Sequence, residues 1–155
     1  MRITDVVIEW LEEREWEERP EVNEEKQTSS TGFDYQVSDD FSVKCYLDAA
    51  ENQGYIKLFM YFLDTKIPES KIKEVTKFVN MVNLGIGVGH LVVIPDDRCL
   101  RYYAGIDVED AALEPRHISN LLNAGLRTME KRLPQLMAIC FGGKSAEEVL
   151  ELVPE

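Results

Sequence analysis

The sequence is short of the residues that carry the commonest chemistries. Its three cysteines, Cys45, Cys99 and Cys140, are odd in number, widely spaced and set in apolar runs. Neither a disulfide framework nor a CxxC metal or redox motif can be built from them, and buried reduced thiols are the expected state. There are two histidines, His90 and His117, each alone in sequence. Imidazole is a frequent acid–base group and zinc ligand, but one histidine at the start of a strand and one in the first turn of a helix read as structural or surface residues. No apolar run approaches the length of a membrane span. Met1-Arg2-Ile3-Thr4-Asp5 leads into an amphipathic pattern and not a signal-peptide core, so a cytoplasmic location follows by elimination. Basic residues are also scarce, since 17 Lys and Arg face 29 Asp and Glu for a formal net charge of -12. That balance repels phosphate backbones, and without a compensating basic stripe no nucleic-acid partner is expected.

What is present is ordinary globular material: 155 residues, 45% hydrophobic and 30% charged. One domain over residues 1–155 is the expectation, long enough to bury roughly two-thirds of its unfolded surface. Residues 1–30 hold four basic and ten acidic side chains, a net of -6, so half of the charge sits at this end. A glutamate-dominated stretch broken by Pro20 reads as an acidic, solvated connection at about 17–30, with Trp16 and Val22 as its possible anchors.

Periodicity orders the elements. Ile3, Val7, Trp10 and Leu11 recur at helical spacing over about the first 15 residues. The period then changes to two: Phe33, Tyr35 and Val37 alternate with polar residues, as do Phe41, Val43, Cys45 and Leu47, with a turn at Ser38-Asp39-Asp40. Tyr55 to Leu63 is a third strand, apolar on both faces, and a sheet with helices on both sides would use both. Pro68 and Glu69 open a second helix carrying Ile72, Val75, Val79 and Val82, which ends at Leu84 or Gly85. A second hairpin turns at Pro95-Asp96-Asp97-Arg98. Pro115 opens a third helix, with Pro134 expected to kink it and Gly142-Gly143 to stop it. Ser145 and Glu148 have capping-box spacing for a last short helix. The order α-β-β-β-α-β-β-α(α), with antiparallel hairpins, is an α+β plan: an antiparallel sheet flanked by helices.

No motif for catalysis emerges. Gly85, Gly87 and Gly89 lie between a helix and the following strand, the reverse of a dinucleotide loop, and read as a cap and a turn. Gly142-Gly143-Lys144-Ser145 looks like the end of a P-loop, but Ala138 stands where the earlier glycine belongs. Asp107, Glu109, Asp110 and Glu114 lack the spacing of a calcium loop and read as acids before a helix. No catalytic residue, cofactor or metal ligand is assigned. The surplus lies in aromatics, which anchor interfaces when exposed. Trp10, Tyr55, Phe59, Tyr61 and Tyr103 are therefore the candidate interaction surface, together with the first helix.

From the second helix onward, three stretches carry a resemblance: Phe78-Val79-Asn80-Met81-Val82-Asn83 and a Gly-rich joint, Gly89 to Ile94 with Leu100-Arg101-Tyr102-Tyr103, and Ile118-Ser119-Asn120-Leu121-Leu122. The tail Pro134-Gln135-Leu136 completes it. In these the chain resembles the YbjN family, bacterial sensory transduction regulators whose fold is similar to that of type III secretion chaperones. The resemblance implies a chaperone-like α+β domain, often a homodimer, that binds another polypeptide or tunes a regulatory pathway without catalysis. The alternative expectation is a small-ligand sensor with a tyrosine-lined pocket between sheet and helices.

Overall fold

The computed structural model describes residues 2–109 and 111–152. The first periodic stretch forms α1 (Arg2–Glu13), with Ile3, Val7, Trp10 and Leu11 all buried. Its first turn is held by Glu51, whose carboxylate accepts the backbone N–H of Ile3 at 2.9 Å and of Thr4 at 3.1 Å. Those N–H groups have no partner within the helix, which is why an acceptor there stabilises it.

The strands are β1 (Glu21–Asn23), β2 (Thr28–Gln36), β3 (Ser42–Ala50), β4 (Tyr55–Phe62), β5 (His90–Ile94) and β6 (Cys99–Asp107). They form one antiparallel sheet in the order β1-β2-β3-β4-β6-β5. The α+β plan and the hairpins stand as the sequence predicts. The stretch expected to be a solvated connection differs in part: Glu21–Asn23 pair with Ser30–Thr28 as a three-residue edge strand, exposed throughout. A glutamate-rich strand of this length carries little apolar signal, because nothing on it is buried.

Register decides what each face carries, since successive side chains point to opposite sides. Phe33 lies opposite Cys45, Cys45 opposite Met60, Met60 opposite Tyr102 and Tyr102 opposite Leu91. All five are buried. Against this face pack α1, α2 (Ile72–Asn83, entered through a 3-10 turn at Glu69–Lys71), α3 (Pro115–Phe141) and α4 (Ala146–Leu152). The helices thus lie on one side of the sheet, not on both, which corrects the two-sided expectation. The four helices bury enough apolar area against one face to close the core there, leaving none for the other.

Local chemistry explains how the helices are placed. Helix α3 crosses close over the sheet at Gly125, where a Cβ would lie 2.6 Å from Met60 Cε and 2.8 Å from Tyr102 Cε1. It continues through Pro134 to Phe141. The predicted capping box forms at α4: Ser145 N–H donates to Glu148 Oε1 and Glu148 N–H to Ser145 Oγ, at 3.0 and 3.1 Å. Glu74 of α2 accepts the Ala146 N–H at 2.7 Å, tying the two helices together. No helix among the described residues is long and apolar enough to cross a membrane.

Candidate functional site

One residue over from the buried row, the same register builds a different surface. Gly32 lies opposite Tyr46, Tyr46 opposite Phe59, Phe59 opposite Tyr103 and Tyr103 opposite His90. No helix covers this row. The Phe59 and Tyr103 rings sit 5.2 Å apart, Tyr103 and His90 5.1 Å, and Tyr46 meets Tyr61 edge-on at 5.9 Å. Aromatic pairs at these separations support one another across strands while keeping one ring face in water.

Cations are set among the rings. The Arg101 guanidinium lies 5.2 Å from the Phe59 centroid and 6.0 Å from that of Tyr61, and Lys57 Nζ lies 4.3 Å from the Tyr55 centroid and 5.9 Å from that of Tyr103. Arg101 Nε is buried without a hydrogen-bond partner. Among the described residues neither Arg101 nor Lys57 has a carboxylate within ion-pair distance. Lys44 differs, with Asp34 at 3.8 Å. The β4–β6–β5 half of the open face therefore sets two cations among apolar rings, with Asp48 opposite Lys57 and Asp107 opposite Tyr55 in register but outside ion-pair distance among the described residues.

Of the five candidate residues, the structure brings four to this face: Tyr55, Phe59, Tyr61 and Tyr103. Trp10 is corrected. It is 1% exposed in the core, its indole N–H donates to Ser119 Oγ at 3.1 Å, and Trp16 and Phe33 close around it. The first helix spends its apolar stripe on the protein's own core, so it offers no apolar docking face. The expected anchor Trp16 does fold back onto Trp10, Phe33 and Tyr35 under the Arg14 guanidinium, whereas Val22 is exposed. The candidate surface read from the sequence did not include Tyr46, Lys57, Arg101 or His90, the last of which was read as a structural or surface residue. Their signal was an aromatic or cationic side chain at the polar phase of an alternating strand.

Burial pushes the Cys45 thiol up to about 12, with Asp34 adding to it, and burial also raises Cys99 and Cys140. Thiols held protonated are poor nucleophiles. The His117 Nδ1 accepts the Glu114 N–H at 2.9 Å at the start of α3, a structural role. Among the described residues no group of three His, Cys, Asp or Glu is placed to hold a metal ion. Asp107 caps the Glu109 N–H at 3.0 Å, and Asp110 lies outside the described residues.

No family model matches the chain, and no curated protein matches it. Among solved structures, one chain of the HopA1-SchA chaperone–effector complex matches with a TM-score of 0.51 and 13% identity, covering 83% of this chain and 90% of that one. YbjN from E. coli matches with a TM-score of 0.47 and 13% identity, over 90% of each chain. The first comes from a chaperone–effector complex, the kind of protein whose fold the sequence resemblance named. At this identity the first match shows a shared fold alone, with the same chaperone-like α+β architecture.

Proposed function

We propose that the chain is a noncatalytic protein-binding domain, chaperone-like or regulatory, that holds its partner on the open face of the sheet. The observation that carries this reading is the uncovered row of Tyr46, Phe59, Tyr103 and His90 with Arg101 and Lys57 set among the rings. The rings lose contact with water when a partner settles on them, at about 25 cal/mol per Å² of apolar area removed. The two cations gain charge-assisted hydrogen bonds that the chain itself does not supply. The occupant that meets both demands is a polypeptide segment mixing apolar and acidic side chains. The structural neighbour drawn from a chaperone–effector complex supports a polypeptide as the partner class. The homodimer implied by the sequence resemblance belongs to the same proposal, and light scattering decides it. A small-ligand sensor with a tyrosine-lined pocket is not favoured, because Tyr55, Tyr61 and Tyr103 lie on the open face and Tyr102 is core.

The test compares three baits, the wild-type chain, Phe59→Ala and Arg101→Glu, followed by hydrogen exchange on the complex. The expected result is one stoichiometric polypeptide that both variants lose, whose acidic–apolar segment as a synthetic peptide slows exchange in β4 and β6. Equal binding to all three baits, or protection confined to the helices, overturns the proposal.

A further inference from the structure

The open face and the edges of the sheet differ in what they offer a partner's backbone. Strands β3, β4 and β6, which carry Tyr46, Phe59 and Tyr103, are each hydrogen-bonded on both sides. Their N–H and C=O groups are spent within the sheet. The free edges belong to β1 and β5, and β4 lies two strands in from β5, about 10 Å at ordinary strand spacing, and three in from β1. A strand added at either edge would not reach Phe59.

The side chains on these central strands make a flat platform with a cation at each end. A Cβ on Gly105 would lie 3.1 Å from Tyr103 Oη and 3.4 Å from Lys57 Cγ, and one on Gly32 would lie 3.3 Å from Tyr46 Cε1. Both tyrosines thus fold down over a glycine instead of standing upright. The Arg101 guanidinium leans on Phe59 at 5.2 Å, and Lys57 Nζ leans towards Tyr103 at 5.9 Å. Lys57 lies opposite Gly105, and Arg101 is four residues before Gly105 on β6, so the two cationic positions are about 13 Å apart along the strands. Their heads lean inward towards the ring pair. Asp48, opposite Lys57, is engaged by the Ser30 hydroxyl, which donates to it at 2.6 Å.

We propose that the segment held on this face is an amphipathic α-helix in which two acidic residues bracket an apolar pair, at positions i, i+3, i+4 and i+7. This rests on the polypeptide reading above and deepens it. The step from segment to helix is a matter of hydrogen bonds. An extended segment pressed onto the rings would lose water from N–H and C=O groups that have no partner beneath them, whereas a helix satisfies its own. A hairpin could do the same but is marginal alone in water. The spacing comes from the platform: residues i and i+7 are about 10.5 Å apart along a helix and share one face with i+3 and i+4 between them. That suits two inward-leaning cations around one pair of rings. The apolar residues rest on Phe59 and Tyr103, and the acids meet Arg101 and Lys57.

The probe is an alanine-rich peptide of about 15 residues carrying this pattern in glutamate and leucine, long enough for an isolated helix to begin to form. It is titrated into the ¹⁵N-labelled full chain beside two controls: the same residues reordered to alternate as in a strand, and the patterned peptide with a central proline. The expected result is saturable shifts in β4 and β6, a gain of helical circular dichroism by the peptide, and affinity at least about tenfold weaker for each control. Lys57→Glu, whose fold circular dichroism checks, should weaken the glutamate peptide by about tenfold and bind a lysine counterpart better than the wild type does. Three outcomes overturn the helix: no shift in β4 and β6 from the patterned peptide, alternating peptide bound as tightly, or shifts there on concentrating the protein alone, which would give the face to a second copy. The polypeptide reading is decided separately by the Phe59→Ala and Arg101→Glu baits. A partner lost by both, with the alternating peptide preferred, refutes the helix and leaves that reading standing.

Discussion

The two faces of this sheet are built by the same strands and differ by one residue of phase. On the covered face Phe33, Cys45, Met60, Tyr102 and Leu91 form one cross-strand row under four helices, and on the open face Tyr46, Phe59, Tyr103 and His90 form another under none. Both rows are aromatic-rich, so hydrophobicity does not separate them. What separates them is how polar atoms are treated. On the covered side the Trp10 indole finds Ser119, the Tyr102 hydroxyl finds Val88, and Gln135 joins the Arg132 guanidinium to the Val149 carbonyl. On the open side Arg101 and Lys57 lie over rings, and among the described residues neither has a carboxylate within ion-pair distance. Thr31 Oγ1 apart, which has no partner among the described residues, the covered face meets these polar groups internally as a core does, whereas the open face leaves two cations for something else.

The comparison breaks most sharply at Trp10 and Phe59. Trp10→Ala removes a buried indole and should cost about 3–5 kcal/mol of stability in urea denaturation. Phe59→Ala on the open face should cost less than about 1.5 kcal/mol, because its ring already meets water, while weakening the partner by about 2 kcal/mol or more. If Phe59→Ala destabilises the chain as much as Trp10→Ala, the open face is a core whose cover is missing, and the assignment fails. Gly125→Ala comes next, since the added Cβ must displace the Met60 side chain and the Tyr102 ring beneath α3. A loss of about 1–3 kcal/mol is expected, with binding on the open face unchanged. The thiols give a gentler probe: all three cysteines are buried with raised pKa values. The native chain should resist a thiol-reactive dye near neutral pH and titrate fully once unfolded, and Phe59→Ala should not change that.

How much of this was legible in the sequence follows from what alternation encodes. Val43, Cys45 and Leu47 repeat at period two, and their burial on one face was readable, as was the helical stripe of α1. The capping box at Ser145 and Glu148 was readable too, because its spacing is its mechanism. The doubly apolar character of β4 was also visible, but not which of its faces the helices would take. That choice depends on where α3 can approach, and the approach is licensed by a single glycine against Met60 and Tyr102. Trp10 was misassigned for a related reason: a tryptophan on an amphipathic helix carries the same signal whether its stripe meets the chain's own sheet or a partner.

The smallest expected effect lies at the clamp that fixes α1 on the covered face. Burial pushes the Glu51 carboxyl up, but the N–H groups of Ile3 and Thr4 and the Thr4 hydroxyl bind its ionised form, and the net effect is a pKa below the ordinary glutamate value. The unfolded chain keeps the ordinary value, so near pH 4 the unfolded state holds more protons than the folded one. The stabilisation is therefore fully present above the ordinary glutamate pKa and is lost as pH falls through the lowered folded value. Glu51→Gln keeps one acceptor but no charge, and at neutral pH should cost at most about 1 kcal/mol, a capping contribution reduced by the partial exposure of the site. Chemical denaturation of the two proteins from pH 7 to pH 3 should show their stabilities converge as the wild-type carboxylate takes up its proton. A gap that stays constant across that range would mean that Glu51 holds α1 by shape and not by charge. The anchoring of the first helix on the covered face would then rest on its buried stripe alone.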